Sequence, residues 1–149
     1  MSVKIGLEAK LYYCAAGIGG TPTWTEITSV KDVTLNQSKG EADVSTRGGG
    51  GWKATIGTLK EATIEFELVA DEDNAAYTAL QDAYINNTSV GLAVMNGPIA
   101  TAGSKGLWAD CAILKFDRKE PLEQAITISV TAKPTWSTNP PQRKVIGET

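Results

Sequence analysis

The chain has 149 residues, enough to bury one full core and too few to divide comfortably into two, so a single domain is expected. With 42% hydrophobic and 21% charged residues it has the composition of an ordinary globular protein, which argues against disorder away from the ends. A net charge of −3 leaves the whole-chain balance without the basic footprint that grips nucleic-acid phosphates, and the absence of His removes the commonest general base and the commonest metal ligand.

Cys14 and Cys111 stand far apart and outside any zinc spacing; flanked by apolar residues, they read first as small buried hydrophobes, with a disulfide as the alternative. The opening MSVKIGLEAK lacks an apolar signal core, and no run approaches the ~20 apolar residues of a membrane span. Synthesis in the cytoplasm, with retention there until assembly or release, is the expectation.

After a lead-in of residues 1–7, Glu8–Cys14 reads as a first strand with bulk on both faces, as in a strand covered on both sides. Ala15–Pro22 is a glycine-rich connection without the spacing of a phosphate-binding loop. Trp24–Leu35 is rich in β-branched residues, with Ile27, Val30, Val33 and Leu35 as core positions and a bulge or turn at Lys31-Asp32. Glu41–Thr46 alternates as a half-exposed strand.

Arg47 and the four glycines Gly48, Gly49, Gly50 and Gly51 break that alternation, because glycine loses much backbone entropy on ordering and offers no side chain to pack. A mobile loop over about 47–52 is expected. Trp52 and Lys53 follow it, and a large aromatic beside a floppy loop either orders against a partner or folds back on its own core.

Leu59–Ala70 is the clearest strand. Ala62, Ile64, Phe66 and Leu68 face a core; Glu61, Thr63, Glu65 and Glu67 face water. Asp71–Asn74 then supplies caps for a helix over about 72–86, with Tyr77, Leu80, Ala83 and Tyr84 on its packed side and Asn86-Asn87 as its stop. Val90–Met95 is a short apolar strand, and a polar loop runs to about Gly106. Leu107–Arg118 and Leu122–Lys133 read as an antiparallel hairpin across Lys119-Glu120-Pro121, with Leu122, Ile126, Ile128 and Val130 inward. Residues 134–149 form an extended arm stiffened by Pro140-Pro141, in which Trp136 either anchors on the domain or meets a neighbour. The fold class is α+β, mainly β, built on a β-sandwich or barrel with one helix.

No chemistry emerges. A histidine-based triad is excluded, GxSxG is absent, and Asp71, Glu72 and Asp73 cap a helix and do not match a calcium loop. No catalytic residue, metal site or cofactor is expected, which leaves a self-assembling structural protein or a binding module.

The segment from Asp32 to Thr88, with its DVTLN and EADVSTR stretches, the Arg47–Trp52 turn, the TLKEATIEFEL strand and the DAYINNT helix end, resembles the central region of bacteriophage tail tube (major tail) proteins. The likeness continues through LKFDRKEPLEQAITISVTAKPT, so it covers about Asp32 to Thr135. The resemblance implies a β-sandwich or barrel-like domain over residues 1–133 with one flanking helix, and a C-terminal arm over 134–149. It further implies hexameric rings stacked into a hollow virion tail tube through which DNA passes without specific binding. Partners would be other copies of the chain, a tape measure protein, a tail terminator and baseplate or tail-tip proteins, with no membrane. On this reading Arg47 to Lys53 contact the next subunit or ring, Glu65 and Glu67 face the lumen, and Trp136 is the arm's contact. The alternatives are a monomeric carbohydrate-binding module using Trp24, Trp108 or Trp136 as a sugar platform, and a head-decoration or tail-adaptor protein.

Overall fold

The computed structural model describes Gly6 and residues 9–146. The rest of the lead-in, the expected strand start at Glu8 and residues 147–149 of the arm lie outside the described residues. Within them the order is β1 (Lys10–Cys14), β2 (Thr25–Glu26), β3 (Val30–Asp43), β4 (Thr55–Val69), α1 (Ala75–Asn86), β5 (Ser89–Met95), β6 (Lys105–Lys119), β7 (Thr127–Pro134) and β8 (Gln142–Val145).

The strands pair antiparallel in one eight-stranded sheet, β2-β1-β5-β6-β7-β4-β3, with β8 also on β6. β6 holds β5 along one edge; on the other it pairs with β8 through Lys105 to Trp108 and with β7 from Cys111 onward. The two ends of this order, β2 and β3, are separated in the chain only by Ile27, Thr28 and Ser29. That connection spans roughly 14 Å at most. The sheet therefore curls until its ends nearly meet. Backbone bonds hold both sides of the join: the Ile27 N–H donates to the Leu11 carbonyl at 2.8 Å, and the Val69 N–H to the Ser29 carbonyl at 3.0 Å.

Inside the curl, Leu11, Ile27, Ile64, Leu68, Leu92, Ile128 and Val130 are fully buried, and α1 adds Ala76, Tyr77, Leu80 and Ala83 to the same cluster. Each such Leu or Ile contributes roughly 1.5–3 kcal/mol by leaving water. α1 starts where the Asn74 side chain accepts from the Ala76 N–H at 2.8 Å and ends where Asn87 turns left-handed at φ 55°, its N–H donating to the Ala83 carbonyl. A second cluster covers the opposite face of β1, β5 and β6: Tyr12, Ala93 and Met95, with Trp24, Ile99, Trp108 and Ile146 against them. Both faces of β1 are thus covered, as its sequence implied.

Several boundaries move. The segment expected as one strand over Trp24–Leu35 is two, β2 and β3, with a register shift at the anticipated bulge between Val30 and Val33. β3 then continues through Asn36–Gly40, and β4 begins at Thr55, ahead of Leu59, so the two form one long ribbon. Tyr84 remains 46% exposed on the flank of α1, its ring stacked on Phe116 at 6.2 Å. β7 starts at Thr127, not Leu122, and Leu122 sits in a turn, wholly exposed, because Pro121 removes a ladder donor and the chain must reverse there. Past β7, Gln142–Val145 returns to the sheet as β8, a strand that the two prolines had argued against.

Asp110 on β6 fastens this return. Its buried carboxylate accepts from the Ile18 N–H at 2.8 Å and from the Ser137 hydroxyl at 2.6 Å, and its carbonyl accepts from the Thr135 N–H at 2.9 Å. The loop after β1 and the segment after β7 share one acceptor. The thiols take no part: β5 lies between Cys14 and Cys111, both are free and buried, and burial, with the Asp110 charge second, pushes Cys111 up to about 12.

Removing both acceptors in Asp110→Ala leaves a buried N–H and a hydroxyl without partners, so a loss of about 1–3 kcal/mol is expected in urea unfolding; an unchanged midpoint would contradict the role given to this side chain. Iodoacetamide is expected to leave Cys14 and Cys111 unmodified in the native protein and to label both once it is unfolded; fast native labelling would contradict their burial.

Candidate functional site: a projecting hairpin

β3 and β4 contain 14 and 15 residues, but only their inner halves touch the core. β7 accompanies β4 from Ile64 to Val69 only. Outward of that, the ribbon has no third strand among the described residues, and all of Gly51 to Glu61 is exposed. A two-stranded ribbon is marginal in water unless something covers a face.

The ribbon has a face to cover. Ala42 lies opposite Ile56, and the Val44 N–H donates to the Ala54 carbonyl at 2.9 Å, so Ala42, Val44, Ala54 and Ile56 share one side. Val44 is 49%, Ile56 55% and Leu59 82% exposed. The rest of the tip is polar and tied locally. Asp43 accepts from the Ser45 N–H at 2.8 Å, and the Ser45 hydroxyl accepts from the Ala54 N–H at 2.8 Å. The Ser45 hydroxyl and N–H together hold the Asp43 carboxyl below its usual range.

Arg47, Gly48, Gly49, Gly50, Gly51, Trp52 and Lys53 form the tip and are all exposed. Arg47–Gly49 makes a single 3-10 turn, and Gly50 (φ 65°) and Gly51 (φ 89°) reverse the chain in the left-handed region. Of the four tip glycines, these two occupy backbone that favours glycine. Trp52 is 81% exposed and makes no return to its own core.

Glu65 and Glu67 lie near the other end of β4, roughly 33 Å along the strand from Thr55. They sit on the face opposite the core, with Thr34 and Thr131 flanking Glu65 and Ser129 opposite Glu67. Asp32 and Lys115 line the same shallow concavity. The tip and this acidic face are therefore distinct surfaces. Trp136 belongs to neither; its ring is 87% exposed while the adjacent Ser137 is held by Asp110. The exposed apolar residues Val44 and Leu59 escaped the sequence reading because each fits an ordinary strand pattern; only the missing third strand makes them conspicuous.

Among the described residues no three His, Cys, Asp or Glu side chains gather as a metal site, and no helix is long and apolar enough to cross a membrane. Trp24 and Trp108 are tilted 59° to each other at 5.0 Å within the second core cluster, so they offer no shared flat platform.

The fold has counterparts among solved structures. The tail of an empty gene transfer agent particle, from helical refinement with C6 symmetry, superposes with a TM-score of 0.72 at 12% identity, covering 96% of this chain and 98% of that one. The tail tube of SPP1 gives 0.66 at 15% identity over 97% of this chain and 77% of that one. A chain of the anti-feeding prophage baseplate gives 0.65 at 5% identity, over 99% of each. At these identities the likeness is one of fold. No curated protein matches the sequence. The sequence does match the family model for phage tail tube proteins over residues 9–135, and the chain belongs to that family.

Proposed function

We propose that this tail tube subunit assembles into hexameric rings that stack into a hollow conduit for DNA, and that the β3–β4 hairpin is the arm joining each copy to the next. The observation that carries the reading is the hairpin itself: a ribbon with an open apolar face, a glycine-built tip and an outward Trp52. Such a surface is costly on a lone subunit and favourable once a neighbour covers it. Contacts of this kind, where one surface meets a different surface on the next copy, propagate into tubes. Past the join with β2, the outer edge of β3 has no partner strand among the described residues and is a further site for a neighbour's backbone.

Glu65 and Glu67 face the lumen in this reading, where carboxylates repel the phosphate backbone and let it pass. The tube domain, expected over residues 1–133, extends to β8, and in this reading the segment between Pro134 and β8 braces a neighbour, with Trp136 as its contact. The subunit works as a structural part of the virion tail and not as an enzyme. Its further partners are a tape measure protein, a tail terminator and baseplate or tail-tip proteins.

Trp52→Ala, or deletion of Gly48 to Gly51, is expected to leave a folded subunit with unchanged circular dichroism. Assembly weakens by about 2 kcal/mol per contact, a rise of roughly thirty-fold in the concentration needed for tubes. Tubes of normal length and abundance by negative-stain microscopy would contradict the hairpin's role. The charge reversal Glu65→Lys with Glu67→Lys is expected to permit tubes that retain DNA fragments at low salt and release them at high salt, unlike the wild type. Equal retention by both would remove these residues from the lumen.

A further inference from the structure

Where β7 ends, the sheet splits. β4 runs on into the hairpin, and the chain after Pro134 crosses to β8 on the far side, which leaves an open cleft of about 680 Å³ between them. Leu107, Pro134 and Pro141 line it together with Lys39, Lys60, Lys133 and Arg143, against the single carboxylate of Glu61. None of the four cations enters an ion pair among the described residues. In a chain of net charge −3 this is a local reversal of sign beside a small apolar patch.

A complementary object exists on the same molecule. The turn between β6 and β7 presents Leu122 wholly exposed, between Glu120 and Glu123. Glu120 is fixed by Arg118 at 2.7 Å, and Arg118 also holds Glu72 at 3.0 Å, so the base of the turn is braced while its apolar tip stands clear. The turn enters β7 near Thr127, whereas the cleft opens at Pro134. The eight residues of β7 place the two roughly 25 Å apart along the strand. A subunit cannot fill its own cleft, but a copy stacked end to end on it can.

We propose that Leu122 of one subunit docks in the cleft of the next, with Glu123 meeting Lys60 and Arg143 at the rim. The inference rests on the tube reading above and adds a second contact to it, separate from the hairpin tip. An apolar knob beside a carboxylate of opposite charge supplies both burial and register, since Glu123 is attracted to the cationic lining and repelled by the acidic face that carries Glu65. A nucleic-acid backbone would satisfy the cations but leave Leu107 and the two prolines uncovered, which favours a second copy as the occupant.

The test is cross-linking in assembled protein. Leu122→Cys combined with Ala62→Cys at the cleft wall, treated with a short bis-maleimide, is expected to give a ladder of covalent oligomers on a denaturing gel, with each single variant remaining monomeric. The buried native thiols do not interfere. Tubes that form normally but yield only monomers would overturn the docking and leave the tube reading intact; a wild type that never forms tubes would overturn both. Should the double variant misfold, charge exchange decides instead. Glu123→Lys is expected to raise the assembly concentration on the order of five-fold, and adding Lys60→Glu to restore most of it. No recovery would overturn the pairing, as would Lys60→Glu tubes that assemble like the wild type but lose bound DNA, the signature of a nucleic-acid groove.

Discussion

The constraint from which the rest follows is the three-residue join between β2 and β3. These strands are the two extremes of the sheet, yet Ile27 to Ser29 leave them almost no reach. The sheet can satisfy both facts only by curling, and curling creates the enclosed volume that Ile64, Leu68, Ile128 and Val130 fill. α1 packs on β5 and β6 against the same cluster. Ile27 is buried in the join itself, so closure and core formation are one event.

Closure also explains what is left over. The curl consumes only the inner part of β3 and β4, because β7 accompanies β4 no further than Ile64. The remaining length projects as a ribbon with Val44, Ile56, Leu59 and Trp52 open to water. Conformational entropy and exposed apolar area both count against it in a lone subunit. The chain belongs to the phage tail tube family, and on the proposed tube reading a neighbouring copy covers this ribbon, so the part with least support from its own core is the proposed means of assembly. The splayed end of the sheet beside β8, with its cationic walls, is the second surface produced by the same geometry.

Local features were legible in the sequence where one residue type dictates the backbone. Asn74 and Asn87 bracket α1 because a side-chain acceptor and a tolerance for left-handed φ are intrinsic to asparagine. The bulge at Lys31-Asp32 showed as two polar residues interrupting an apolar alternation, and the alternation of Ile64, Phe66 and Leu68 marked the core face of β4. Features set by distant residues were hidden. Asn36 to Gly40 carries no strand signal because neither face of the ribbon is buried there, so no period distinguishes strand from loop. Leu122 looked like a core position because apolar character says nothing about whether a wall faces it. β8 was masked by Pro140-Pro141, which end just before it, and by its dependence on Asp110, whose partners stand 27 and 92 positions away. Of the candidate site, the exposed tip at Arg47 to Lys53 is legible as a glycine run beside a tryptophan, while the ribbon's apolar side needed the topology.

The central claim, that the exposed outer half of the β3–β4 hairpin is an intersubunit element, is tested most directly by a cryo-electron microscopy reconstruction of the assembled tube at side-chain resolution. The expected result is Trp52, Val44 and Ile56 buried against a neighbouring copy, with Gly50 and Gly51 ordered at the contact. A tube in which that ribbon stands clear of every neighbour, with Trp52 in solvent, would contradict it.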